Sequence, residues 1–132
     1  MVPRRVRHQR KEFYLALVFY VITGTAYASD GNEFLLQCKA LIKVAEGGAS
    51  ISQKEHDGAL VCASYLDGFL GSHAIEDVRN SKPLYCIPAE GLKIGQVARI
   101  VIKYLEDNPA KLHEDARLAV GISLMGSFPC TK

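Results

Sequence analysis

Two of the four cysteines bracket a helical hairpin, and that placement constrains the fold more than any other feature of the chain. Cys86-Ile87-Pro88 stands just before a run that opens at Gly95-Gln96-Val97, and Phe128-Pro129-Cys130 closes the run that follows. If those two helices run antiparallel, their outer ends meet and the cysteines come within reach. That predicts a stapled hairpin, and such a staple persists in an oxidising compartment. Four cysteines allow three connectivities. Cys38 and Cys62 lie equally far on either side of a turn near residue 50, and Cys86 and Cys130 equally far from a turn near Asn108. This geometry favours Cys38–Cys62 and Cys86–Cys130, with the other pairings open. None of the four forms a C-x-x-C, so zinc-ribbon and thioredoxin-like readings are weak.

The N-terminus agrees with export. Arg4, Arg5, Arg7, Arg10 and Lys11 precede an unbroken apolar run, Phe13 to Ile22, and then the small-x-small site Ala26-Tyr27-Ala28. A basic region, an apolar region and a cleavage site in that order read as a secretory signal peptide. The apolar run is about half of the ~20 residues that a membrane span needs. Residues 1–28 are therefore expected to be a cleavable leader, with no stable membrane insertion afterwards, and 29–132 a single domain. The whole chain carries 16 Lys and Arg against 14 Asp and Glu, a formal net charge of +2. The leader holds five of those bases against Glu12 alone, so the remainder is slightly acidic. Nothing in it reads as a nucleic-acid surface.

Four amphipathic segments follow. Asp30 caps a helix expected over 31–45, with Phe34, Leu35, Cys38, Leu41, Ile42 and Ala45 on one face and Glu46-Gly47-Gly48 as its stop. Ser52 and Glu55 form a capping box that starts a second helix over 53–73. Its inner face is Ala59, Cys62, Ala63, Leu66, Phe69 and Leu70. Gly68 and Gly71 are costly inside a helix; they read either as close approach by a neighbouring backbone or as a thinned partner surface. Residues 74–93 read as irregular. A third helix is expected over 94–107 and a fourth over 109–126, with Asn108 as cap and Pro109 in the first turn. Leu112, Ala116, Ala119, Val120 and Leu124 make the stripe of the fourth, broadened by Leu118, Ile122 and Met125. No segment alternates with period two. The expected class is all-α, a small four-helix bundle of two antiparallel hairpins stapled by disulfides.

Catalytic chemistry is hard to find. His56, His73 and His113 are isolated on separate elements, and there is no H-E-x-x-H, G-x-S-x-G or P-loop. Tyr65, Tyr85 and Tyr104 read as core or rim aromatics. The residues point to no catalytic group, no metal and no cofactor.

An ordered set of short motifs carries a resemblance. It comprises the leader, Leu35-Leu36-Gln37-Cys38, the run Cys62-Ala63-Ser64-Tyr65-Leu66-Asp67-Gly68, Cys86-Ile87-Pro88, Gly95-Gln96, Tyr104-Leu105 with Asn108-Pro109, and Phe128-Pro129-Cys130. Together they resemble the Rap/Tai family, immunity proteins against peptidoglycan amidases delivered by type VI secretion. Ser64 departs from the glycine common before the tyrosine. The resemblance implies a small helical bundle in the periplasm, often dimeric, that occludes the active site of a cognate cell-wall amidase and is not itself an enzyme. No family interface motif transfers residue by residue. By position, the segment after the second helix is the expected contact surface, with His73, Glu76, Asp77, Arg79 and Asn80 as candidate contacts. The alternative is a small periplasmic holdase-like acid-stress chaperone, which would bind many unfolded clients where an immunity protein binds one folded enzyme.

Overall fold

The computed structural model describes residues 29–79 and 82–130. The expected leader, 1–28, and the candidate contact Asn80 lie outside the described residues. Among the described residues four helices make an all-α fold: α1, Gly31–Ala45; α2, Gln53–Val78; α3, Ile94–Asp107; and α4, Ala116–Ser127. A 3-10 turn, Pro109–Lys111, separates α3 from α4. Both cystines pair as the geometry favours, Cys38 with Cys62 and Cys86 with Cys130.

α1 begins and ends on local chemistry. An α-helix leaves its first four N–H groups and last four carbonyls without intrahelical partners. All four leading donors of α1 are met. Glu33 N donates to Asp30 Oδ1 at 2.9 Å and Phe34 N to Asp30 O at 3.0 Å. Gly31 N and Asn32 N donate at 2.9 Å to the carbonyls of Glu114 and Leu112. At the other end Gly47 takes the left-handed conformation, with φ 70°. Gly48 N then reaches Lys43 O at 2.9 Å and Gly47 N reaches Val44 O at 3.1 Å. This reciprocal pattern closes a helix efficiently because the glycine has no Cβ to strain.

The fourth helix starts later than expected, and α1 explains why. A helix running through 109–126 would use the Leu112 carbonyl for Ala116 N. Here that carbonyl serves Asn32, and Ala116 N donates instead to Ser29 O at 3.0 Å. Residues 112–115 are thus drawn off to cap α1. α4 restarts at Ala116 under its own cap, Asp115, whose carboxylate accepts from Arg117 N at 2.8 Å. Asn108 heads only the 3-10 turn; its Nδ2 donates back to Tyr104 O at 2.8 Å, satisfying the end of α3. Gly31 sits where the segments meet. A Cβ there would stand 2.9 Å from Leu112 O and 3.1 Å from Leu105 Cδ2, so no larger residue fits without backbone movement.

α2 also differs. It runs to Val78, five residues beyond its expected end. Gly68 and Gly71 weaken it without stopping it, and Ala74, Ile75 and Glu76 continue it. The next strong breaker is Pro83, which also biases its predecessor away from helix.

α1 touches all three other helices, and α3 also packs against α2 and α4. Phe34, Cys38, Cys62, Leu66, Val97, Val101, Leu105, Ala116, Val120 and Leu124 are fully buried in one cluster. Leu118, Ile122 and Met125 do not broaden that core, as the periodicity suggested. They are 54%, 46% and 44% exposed, because α4 offers only its narrower stripe to α1 and α3. Ser64 is exposed, its hydroxyl donating to Leu60 O at 2.8 Å, so the departure from the family motif leaves the buried face unchanged.

The connection between α1 and α2 is locked by charge. Lys43 Nζ lies 2.6 Å from Glu55 Oε1 and 3.3 Å from Ser50 O. Glu55 Oε2 accepts from Ser52 N and from Ser52 Oγ, each at 2.8 Å, while Glu55 N donates to Ser52 Oγ at 3.2 Å. The Lys43 ammonium, then the Ser52 N–H and hydroxyl, hold the Glu55 carboxyl at about 2, below its ordinary 4.5. The Arg117 guanidinium, then the Arg117 N–H, hold Asp115 at about 2 against 3.8. Both values are depressed on folding. Their stabilisation is therefore complete above the ordinary carboxylate values and is lost as pH falls towards about 2. Urea-unfolding free energies should be level at neutral pH and decline through that acid window. Glu55→Gln and Asp115→Asn should each flatten the decline; an unaltered slope in both variants would contradict the assignment.

Candidate partner-binding face

Beyond α2 the chain crosses the end of the molecule as a strap, residues 82–93, with no helix or strand of its own. Tyr85 anchors it and is only 3% exposed. Its ring stacks near Phe69, centroids 6.5 Å apart at 16°, and meets the edge of His73 at 5.3 Å. His73 Nε2 lies 2.9 Å from Tyr85 O. A carbonyl only accepts, so Nε2 is the protonated nitrogen of that ring. On the other side Cys86 N donates to Phe128 O at 2.9 Å, beside the Cys86–Cys130 bond. The strap is thus pinned to the end of α2 and to the end of α4.

The expected contact residues fall into different settings. His73 is half-buried beneath the strap, where it holds the backbone of Tyr85 in place. Glu76 is also half-buried. Burial first, and then the Glu76 charge, raise the Tyr85 hydroxyl above its ordinary value. Glu76 Oε2 and Tyr85 Oη are both buried with no hydrogen-bond partner among the described residues. Asp77 belongs to the last turn of α2. Arg79 is exposed just past it. Four of the five candidates are therefore gathered at the C-terminal end of α2, His73 and Glu76 half-buried and Arg79 exposed.

Exposed large apolar side chains lie among and after them in the chain, and the polarity of the segment hid these. Ile75 is 61% exposed, Val78 84% and Leu84 62%. Ile75 and Val78 follow Gly71 at the four- and seven-residue spacing of one helical face. Continuing the helical period past His73 would have found them. A Cβ at Gly68 or Gly71 would meet nothing within 4 Å, so no neighbouring backbone approaches there. The face is instead flat and open, bordered by apolar residues, the kind of surface that marks a protein interaction site when contiguous.

Other features carry less. One concavity is an open groove of about 830 Å³ between α1 and α2, with Leu36, Ala40 and Val61 among its lining. It shares no residue with the strap. His56 and His113 are exposed and separate. Among the described residues no group of three or more His, Cys, Asp or Glu is placed to hold a metal ion, and no helix is long and apolar enough to cross a membrane. Tyr65 packs against Phe34 with centroids 4.8 Å apart, as a core-edge aromatic.

The described residues thus form a small, cystine-stapled all-α scaffold with a pinned, irregular strap and exposed apolar residues at the end of α2. The chain is a member of the Rap1a immunity proteins, whose family model matches residues 30–130, a span that takes in all four helices and both cystines. No curated protein and no solved structure is matched by it. Membership points to an immunity function, exercised by binding a cognate secreted effector.

Proposed function

We propose that this protein is a periplasmic immunity protein that binds a peptidoglycan amidase delivered by type VI secretion and blocks its active site. The leader expected over 1–28 would deliver it to the compartment where such an effector arrives, and where both cystines would persist. The observation that carries the reading is the joint one: membership of the immunity family over residues 30–130, with an exposed apolar face and a pinned strap at one end. Rigidity matters here because ordering a loop on binding subtracts from affinity. A strap already fixed by Tyr85, His73 and a cystine avoids most of that cost. Ile75, Val78 and Leu84 supply apolar area, and Arg79 and Asp77, with Asn80, supply polar specificity around it. His73 acts mainly by holding the strap, and Glu76 lies half-buried beside these contacts on α2. The homodimer implied by the family resemblance belongs to this reading as a second, separate contact.

Affinity measurements on variants test the surface. Val78→Asp and Arg79→Ala should each weaken binding to the cognate amidase by about tenfold or more, since interface energy concentrates in a few residues. His113→Ala, on an exposed site elsewhere, should leave it unchanged. Unchanged affinity in Ile75→Asp, Val78→Asp and Arg79→Ala together would remove this face from the interface. Binding to many unfolded proteins at acid pH, without a single folded partner, would replace the proposal with the chaperone reading.

A further inference from the structure

The two cystines lie in different surroundings. Cys38 and Cys62 are both 0% exposed, inside the core cluster between α1 and α2. Cys86 is exposed and Cys130 is half-buried. The first staple ties helix to helix. The second ties the strap to the chain just beyond α4. We infer that Cys86–Cys130 is a reducible latch on the strap, opened by a dithiol reductant while Cys38–Cys62 stays closed.

The chemistry is thiol–disulfide exchange. A thiolate of the dithiol attacks one sulfur of the Cys86–Cys130 bond, and the other sulfur leaves as a thiolate. The second thiol of the reductant, as its thiolate, then attacks the resulting mixed disulfide and frees the first cysteine. Two electrons pass to the protein, the freed cysteines take up protons from solvent, and the reductant ends as its own disulfide. Access of the attacking thiolate controls the rate of the first step. At Cys86–Cys130 that access exists in the folded protein. At Cys38–Cys62 it requires local unfolding of the α1–α2 contact, which is rarer. A thiol–disulfide oxidoreductase with a C-x-x-C dithiol is the chemical class of reductant that fits.

Opening the latch would loosen the strap around Cys86, although Ile87 and Leu92 still pack against the core. Among the described residues two hydrogen bonds still tie the strap to α2 and to the end of α4, His73 Nε2 to Tyr85 O and Cys86 N to Phe128 O, each 2.9 Å, together with the buried Tyr85 ring. Among the described residues its hydroxyl has no hydrogen-bond partner, and neither has Glu76 Oε2. Unsatisfied buried polar groups weaken the seat they occupy. The strap carries the exposed Leu84, one residue before the anchoring Tyr85, so the latch would govern the strap's part of the contact surface; this consequence rests on the function proposed above.

The test uses the folded, fully oxidised protein. Dithiothreitol is added over a graded range, free thiols are trapped by alkylation, and each cysteine is quantified by mass spectrometry. Cys86 and Cys130 should be labelled at a reductant concentration at least tenfold below that for Cys38 and Cys62. In the singly reduced, alkylated species, amide exchange at Cys86 should accelerate at least tenfold, and affinity for the cognate amidase should fall by a similar factor. Simultaneous labelling of both pairs, labelling of Cys38 and Cys62 first, or unchanged exchange at Cys86 would overturn the latch. Unchanged affinity despite faster exchange would overturn its link to the contact surface. If the fully oxidised protein binds no amidase, the proposed function falls, and labelling and exchange still decide the latch.

Discussion

Replacing Cys38 and Cys62 together with alanine should lower the unfolding free energy by about 3–5 kcal/mol. Loop-closure entropy for a bond spanning 24 residues accounts for roughly 3.5 kcal/mol of this. The remainder is packing, because both residues are 0% exposed between α1 and α2 and two methyl groups do not fill the space of two bonded sulfurs. A domain of this size is typically stable by about 5–15 kcal/mol, so the variant should be marginal. Urea denaturation is the measurement, and its slope should rise as the unfolded chain loses a constraint and exposes more surface. A loss of under about 1 kcal/mol would show that helix packing alone holds α1 to α2 and that the buried cystine adds little.

Phe34→Ala should have a comparable effect through a different cause. Phe34 is the largest fully buried side chain, on the helix that touches all the others, and its ring sits 4.8 Å from that of Tyr65. Removing a buried phenyl group typically costs about 3–5 kcal/mol in transfer and cavity terms. For a domain near 100 residues that corresponds to a midpoint lower by roughly 15–30 °C. Phe34→Leu keeps much of the volume and should cost about 1.5 kcal/mol or less. Thermal unfolding of the pair separates the two: near-equal midpoints would place the phenyl group outside the stabilising core.

Much of the fold is legible in the sequence where its causes are local. The Asp30 cap, the Gly47 stop and the Ser52–Glu55 box are marked by residues within a few positions of the helix ends they set, and α1 and α3 fall where expected. The cystine pairing is legible from distances along the chain to each turn. The start of α4 is not legible, because its cause is 80 residues away: the amides of Gly31 and Asn32 take the carbonyls that would have continued a helix from Pro109. α2 outruns its expected length because a glycine weakens a helix by only about 1 kcal/mol, and two of them do not end it. The same difference bears on the candidate site. In a helix that stops at His73, Ile75 and Val78 have no face to belong to, and only the polar residues of the segment stand out. Complementarity to a partner is a property of shape. No residue pattern in one chain displays it, and the family membership and the exposed face together reach only as far as the class of partner.

Immunity by occlusion of an amidase is tested by calorimetric titration of the oxidised protein against a panel of folded peptidoglycan amidases, with amidase activity followed in the same samples. The expected result is tight binding to one enzyme with loss of its activity, and a tenfold or greater weakening by Val78→Asp. Absence of binding to every folded amidase, or binding that leaves activity intact, would contradict it.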